Sequence, residues 1–299
     1  MTNTLKRVGN LKQVVSVYDL EIRDGIAKGK RIILANNNTL EVAFNTDNAL
    51  DIAWVKYKGV NVSFLSKNGL NTNTGVFSEQ FEGGFLYTCG LDNVSACDKS
   101  RPIHGSLHSR KAENVNTVVE QDKIIVSADV YTTALKGVNL KLHREYVVTA
   151  NNITFNDTVI NCGFIDSEYV LLYHVNFGYP FLDKDWILDF DAIKSLPANP
   201  VTDIKDCKVI TDAMPKDGEK LYYHYLKDGV VSMKNPNLNI ECVMNFDIKV
   251  LPLLVEWQNL FEGDYVVGIE PATTRFDEYK KNPIKSGEKH QFKISVNFN

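Results

Sequence analysis

The sequence lacks most of what would place this chain in a membrane, on a nucleic acid or in an oxidising compartment. No apolar run reaches the ~20 residues needed to span a bilayer. The opening MTNTLKRVGNLKQ stays polar where a secretory leader would turn apolar. Positive charge is not in excess, since 33 Lys and Arg against 37 Asp and Glu give a formal charge of -4 and a pI near 5.9. A nucleic-acid groove or an anionic membrane surface needs concentrated Lys and Arg, so neither partner is expected. The five cysteines, Cys89, Cys97, Cys162, Cys207 and Cys242, are odd in number and scattered, without CxxC spacing or attendant histidines. They read as reduced cytoplasmic thiols, with no metal expected.

Helical periodicity is also missing. No segment sustains a 3.6-residue apolar stripe over three turns, which excludes the crossover helices of a parallel sheet. There is no internal repeat, low-complexity run or Pro/Gly/Ser linker, so residues 1–299 are expected to form one large domain.

What is present is period-two alternation. Phe292, Ile294, Val296 and Phe298 alternate with Lys293, Ser295 and Asn297, the pattern of a half-buried antiparallel strand. Ile153, Phe155 and Val159 alternate with Thr154, Asn156 and Thr158 in the same way. Turn pairs such as Lys58-Gly59, Asn68-Gly69, Asp217-Gly218 and Asp228-Gly229 punctuate the chain. With 44% apolar and 23% charged residues a sizeable core is available. The fold class is therefore all-β, with large antiparallel sheets stacked as a sandwich to protect their edges. Asp183 to Lys220, containing Pro197, Pro200 and Pro215, reads as long loops or an excursion over a sheet.

Three stretches could carry chemistry. In VLLYHVNFGYP (170–180) a strand apolar on both faces acquires His174 and Asn176 on one of them just before a Gly-Tyr-Pro stop, as at a cavity rim. A core histidine satisfied by a carbonyl would give the same pattern. In RPIHGSLHSRK (101–111) an extended backbone would put His104, Ser106, His108 and Arg110 on one face, whether toward a ligand or as a solvated edge. In YVVGIEP (265–271) an apolar strand ends in Glu270, where partial desolvation would raise the carboxyl pKa into the range of a general base. An ordinary strand-end Glu reaching water is the alternative, and Glu256 competes for the role. Trp257 could stack on the apolar face of a sugar ring with Gln258 meeting hydroxyls. Asp92 and Asn93, at the end of GGFLYTCGLDN (83–93), could bind hydroxyls or cap a turn.

Taken in order, GGFLYTCGLDN, the His-Gly at 104 and 105, YHVNFGYP and GIEP resemble the aldose 1-epimerase (galactose mutarotase) superfamily, in particular its aldose-epimerase-like branch. The resemblance spans almost the whole chain and implies a β-supersandwich with few short helices and an open sugar-binding cleft. It further implies that Glu270 is general base, His174 general acid and His104 a substrate anchor in anomer interconversion, without metal or organic cofactor. A small-molecule sugar is the implied partner, and a homodimer is left open. The branch usually follows its histidine with an Arg-Ile-Ser-Asn-like stretch, whereas Ser106, Leu107, His108 and Ser109 stand here. His108 and Arg110, with Arg101, are therefore expected to meet an acidic or phosphorylated substituent. A non-catalytic carbohydrate-binding or regulatory protein on the same scaffold is the competing function.

Overall fold

The computed structural model describes residues 6–73, 76–95, 101–120, 122–199, 202–215, 219–277 and 280–299. Cys97, Pro200 and the Asp217-Gly218 turn lie outside them. Among the described residues the alternating pattern is realised as twenty strands, β1 to β20, paired antiparallel in three sheets. A five-stranded sheet follows chain order: β1 (Ser16–Glu21), β2 (Arg31–Asn36), β3 (Leu40–Asn45), β4 (Asp51–Tyr57) and β5 (Val60–Asn61). An eight-stranded sheet begins β12 (Ile187–Asp189), β15 (Val230–Asn235), β16 (Ile240–Phe246) and β20 (Lys289–Phe298). It continues β10 (Asn152–Asn161), β9 (Asn139–Val148), β8 (Ile124–Thr133) and β7 (Glu113–Val119). The third sheet runs β13 (Ala192–Pro197), β14 (Lys220–Leu226), β17 (Leu253–Phe261), β18 (Asp264–Ala272) and β11 (Ser167–Gly178). On β11 it also takes β6 (Leu86–Leu91) and β19 (Asn282–Ile284).

Among the described residues helix is confined to one turn, α1 (Phe77–Gln80), and to 3-10 turns at Leu11–Gln13 and Ile204–Asp206. Among the described residues no helix is long and apolar enough to cross a membrane. The alternations at 153–159 and 292–298 bury their apolar members in β10 and β20, which pair with each other. The stretch from Asp183 to Lys220 is more ordered than an excursion of loops. It supplies an edge strand to each large sheet, β12 and β13, before the Ile204–Asp206 turn.

One apolar core draws on the inner faces of all three sheets, and a buried guanidinium binds the same sheets together. Arg144 on β9 is fully buried, with ion pairs of 2.6 Å to Asp51 on β4 and 2.7 Å to Asp157 on β10. It also donates to Thr88 Oγ1 on β6, and Tyr173 on β11 donates to Asp157. Two carboxylates hold one cation, so the charge is compensated where desolvation would otherwise cost several kcal/mol per ion. Tyr223, Leu253, Val255, Val266 and other residues on the opposite face of the third sheet form a second apolar cluster. That cluster is the floor of a cleft.

Candidate active site

β11 reaches the cleft by alternation. Tyr169, Leu171, Tyr173, Val175 and Phe177 enter the main core, while Val170 and Leu172 join the second cluster. His174 and Asn176 follow on that second face. Beside it, Val267 and Ile269 of β18 point to the core, and Val266, Gly268, Glu270 and Ala272 to the cleft. The register pairs Leu172 with Ala272 and Val175 with Ile269, so His174 stands opposite Glu270.

Their side chains meet. His174 Nε2 lies 3.2 Å from Glu270 Oε1, with both side chains almost completely buried. The approach is out of line for a hydrogen bond, and Glu270 Oε1 and His174 Nδ1 have no hydrogen-bond partner. Burial pushes the His174 pKa well down, with the nearby His104 adding to the effect and the Asn176 amide opposing it. Burial likewise pushes the Glu270 carboxyl well up, helped by the charge of Glu219. Gly268 makes this placement feasible. A Cβ there would sit 2.4 Å from Glu270 Oε1 and 3.2 Å from the Trp257 ring, so the glycine of GIEP is the space in which the carboxylate lies.

His104 comes from a loop. The 101–111 stretch is a series of turns rather than an extended strand, which corrects the expectation that His104, Ser106, His108 and Arg110 share one face. The backbone is left-handed at His104 (φ 67°) and Gly105 (φ 77°), a conformation that needs outside support in a residue with a side chain. The GGFLYTCGLDN segment provides it: Gly90 N donates to His104 O (3.0 Å), Ser106 N to Asp92 Oδ1 (2.9 Å) and Asn93 Nδ2 to Pro102 O (2.9 Å). A Cβ on Gly105 would lie 2.3 Å from Asn93 O. Asp92 and Asn93 thus hold the loop instead of lining the cleft. The His104 ring ends edge-on to His174, 5.7 Å between centroids. Its burial, then the neighbouring His108, pushes its pKa down to about 4.

Four other expected positions fall elsewhere. His108 is behind the cleft, stacked 3.6 Å from the Tyr87 ring and 2.7 Å from Asp51 Oδ2. Arg110 follows it away from the cleft, its backbone carbonyl accepting from Ala49 N. Asn176 folds its amide onto Gly84 O and His174 O. Gln258 lies on the far face of β17, donating to Glu256. Turns carry His108 and Arg110 away from the cleft, strand alternation turns Gln258 to the other face, and Asn176, on the same face as His174, spends its amide on backbone carbonyls.

His104, His174, Glu270 and Trp257 line one cavity of about 360 Å³. Sequence reasoning missed its remaining walls, Phe77, Phe81, Val94, Ile103, Leu221 and Phe276, and the acid Glu219. Aromatic residues of a single-turn helix and of loops have no periodicity to betray them. Only the alternation of Leu221 with Tyr223 on β14 carried a usable signal. Glu219 accepts from Trp257 Nε1 (2.8 Å) and fixes the indole, which is edge-on to His174 at 5.2 Å. No Lys or Arg lines the cavity among the described residues. Arg101, expected there, stands 3.6 Å from Asp92 and is largely exposed.

The same fold recurs in solved structures. A Klebsiella pneumoniae protein named provisionally as an aldose 1-epimerase superposes with a TM-score of 0.86 at 17% identity, covering 95% of this chain and 83% of its own. A galactose mutarotase-like protein from Clostridium acetobutylicum gives 0.73 at 16% identity, covering 96% and 99%. Galactose 1-epimerase from Lactobacillus acidophilus gives 0.65 at 12% identity, covering 95% and 99%. At these identities the likeness establishes the galactose mutarotase-like β-supersandwich and not the activity. No curated protein matches the sequence. A family model described as a domain of unknown function, DUF4432, matches residues 27–293. Spanning almost the entire sequence, that match makes the chain a member of the DUF4432 family, built on the galactose mutarotase-like fold.

Proposed function

We propose that the chain is an aldose 1-epimerase-like isomerase that interconverts the anomers of a neutral sugar. The observation that carries this reading is the buried His174–Glu270 pair, 3.2 Å apart in a cavity of monosaccharide size, with a carboxylate oxygen left unbonded. Hemiacetal opening needs a proton removed from the C1 hydroxyl as another is given to the ring oxygen. Glu270 takes the first and His174 gives the second, each transfer worth ~10²- to 10⁴-fold. The C1–ring oxygen bond breaks, the aldehyde turns about C1–C2, and the reverse transfers close the other anomer. The pair begins as imidazolium and carboxylate and ends as imidazole and carboxylic acid, so its total proton count is unchanged. Burial favours the neutral forms of both groups, which drives the proton transfers forward. His104 anchors a sugar oxygen, and Trp257 with its aromatic neighbours meets the apolar face of the ring.

The cavity's polar groups favour a neutral substrate. Glu219 would repel a carboxylate or phosphate, and His108, Arg110 and Arg101 stand elsewhere. A cytoplasmic setting goes with this reading and with the free thiols of Cys89, Cys162, Cys207 and Cys242. Polarimetry or exchange NMR on freshly dissolved α-anomers tests it. Wild type should speed mutarotation of a neutral aldose, and Glu270→Gln should abolish most of the increase. Saturable sugar binding without turnover would instead favour the carbohydrate-binding alternative.

A further inference from the structure

A second buried histidine–carboxylate pair lies on the far face of the same sheet, outside the cleft. Its residues come from three places that the register brings together. β13 pairs with β14 so that Ser195 is opposite His224, and β14 pairs with β17 so that His224 and Glu256 are diagonal neighbours on one face. Cys207 arrives from the segment that follows the Ile204–Asp206 turn.

The ligand atoms converge. His224 Nε2 is 3.0 Å from Glu256 Oε2, Cys207 Sγ is 3.5 Å from the same oxygen, and Sγ is 3.9 Å from Nε2. A tetrahedral Zn²⁺ bound at the usual ~2.0–2.3 Å by one S, one N and one O would hold those atoms roughly 3.3–3.6 Å apart. The triangle already present brackets those values. His224 and Glu256 are completely buried and Cys207 is half-buried, leaving one side from which a water can complete the coordination.

The surroundings are those of a metal ligand set. His224 Nδ1 is 2.8 Å from Ser195 Oγ, so an outer hydrogen bond can fix the tautomer that presents Nε2. Glu256 Oε1 accepts from Lys208 N (2.9 Å) and Gln258 Nε2 (2.5 Å), which reserves Oε2 for the centre of the cluster. Phe190, 4.7 Å from the imidazole, closes another side. One thiolate, one carboxylate and one neutral imidazole cancel a divalent charge, the condition for keeping an ion in a buried place. The nearest cation, the Lys208 ammonium, is occupied by Phe190 O and faces Asp189.

We propose that Cys207, His224 and Glu256 form a zinc-type metal site that clasps the Cys207 segment to the edge of the third sheet. Binding is balanced by simple proton bookkeeping. The thiol proton leaves, the imidazole proton moves from Nε2 to Nδ1 and is donated to Ser195 Oγ, and one proton per ion reaches solvent.

The test is titration of the purified, metal-stripped chain with Co²⁺ and then Zn²⁺. One Co²⁺ should bind with near-ultraviolet thiolate-to-cobalt absorption and the visible bands of a tetrahedral centre. Zn²⁺ should displace it and raise the melting temperature. Cys207→Ser should lose the near-ultraviolet band, and Cys162→Ser, which removes an exposed thiol, should keep it. Ser195→Ala should bind the same amount of metal ~10- to 100-fold more weakly. No thiolate band in the wild type, or a band that survives Cys207→Ser, overturns the proposal. If Cys207→Ser does not fold by circular dichroism, X-ray absorption of the zinc-loaded wild type decides instead, since one sulfur among its ligands is required.

Discussion

The two histidine–carboxylate pairs of the third sheet have the same chemical parts and opposite surroundings. His174 and Glu270 face a cavity, and the carboxylate oxygen nearest the imidazole accepts no hydrogen bond. His224 and Glu256 face inward, and that carboxylate accepts from a backbone amide, Gln258, Cys207 and the imidazole itself. Leaving a buried acceptor without a partner costs about 1–3 kcal/mol, a cost that persists where function draws on it. The contrast teaches that burial and a His–Glu contact are not enough to mark a proton-transfer site. What separates the two pairs is an unbonded carboxylate oxygen open to a cavity in the first, against an Oε2 already shared by an imidazole and a thiol in the second.

The sharpest way to break the comparison is to neutralise each carboxylate in turn. Glu270→Gln is expected to lower mutarotation ~10²- to 10⁴-fold with the fold retained, measured by exchange NMR and circular dichroism. Its effect on stability has a definite sign. A carboxyl whose pKa is raised by folding contributes stability that is complete below its unfolded pKa and is lost as pH rises through the folded value. The glutamine cannot ionise, so the variant should unfold at equal or higher urea concentration than wild type at neutral pH. Glu270→Gln unfolding more readily than wild type at neutral pH would contradict the assigned shift.

Gly268→Ala sharpens the comparison without touching either partner. The added methyl would lie 2.4 Å from Glu270 Oε1 and push it aside, and displacement of a reacting group by about an ångström costs on the order of 10²-fold. Turnover should fall by about that factor while the urea midpoint moves little. Unchanged turnover would mean that the carboxylate works from another position. Glu256→Gln is expected to act on stability instead, costing roughly 1–3 kcal/mol by urea unfolding because its bonded donors lose an ionic acceptor.

The smallest expected effect is on pH dependence. The pair must hold one proton in total, so kcat/KM should fall with pH along a limb above the ordinary carboxylate range, where Glu270, raised by burial, gives that proton up. Glu219 adds to the shift by its charge. Glu219→Gln should move that limb to lower pH, and a limb that stays in place would remove Glu219 from the electrostatics of the site.

Much of the fold was legible because alternation is a local signal. β10 and β20 could be read residue by residue, as could the turn of β11 from apolar to polar at His174. The RPIHGSLHSRK stretch could not, since its conformation is set by hydrogen bonds to β6 rather than by its own pattern. The same contacts explain why Asp92 and Asn93 hold a loop in place of a ligand. Gln258 adjoins Trp257 in sequence and points the other way, because successive strand residues must alternate.

The sequence by itself determined that the chain is all-β, that apolar stretches of β11 and β18 run into His174 and Glu270 near their ends, and that glycine stands two residues before Glu270. These follow from period two and from single residues. Only the tertiary structure decided that His174 stands opposite Glu270, that His104 joins them while His108 does not, and that Cys207, His224 and Glu256 converge. The physical reason is register. Residues 96 or 49 positions apart become neighbours only when a particular antiparallel pairing or loop tether is chosen, and no local pattern encodes that choice.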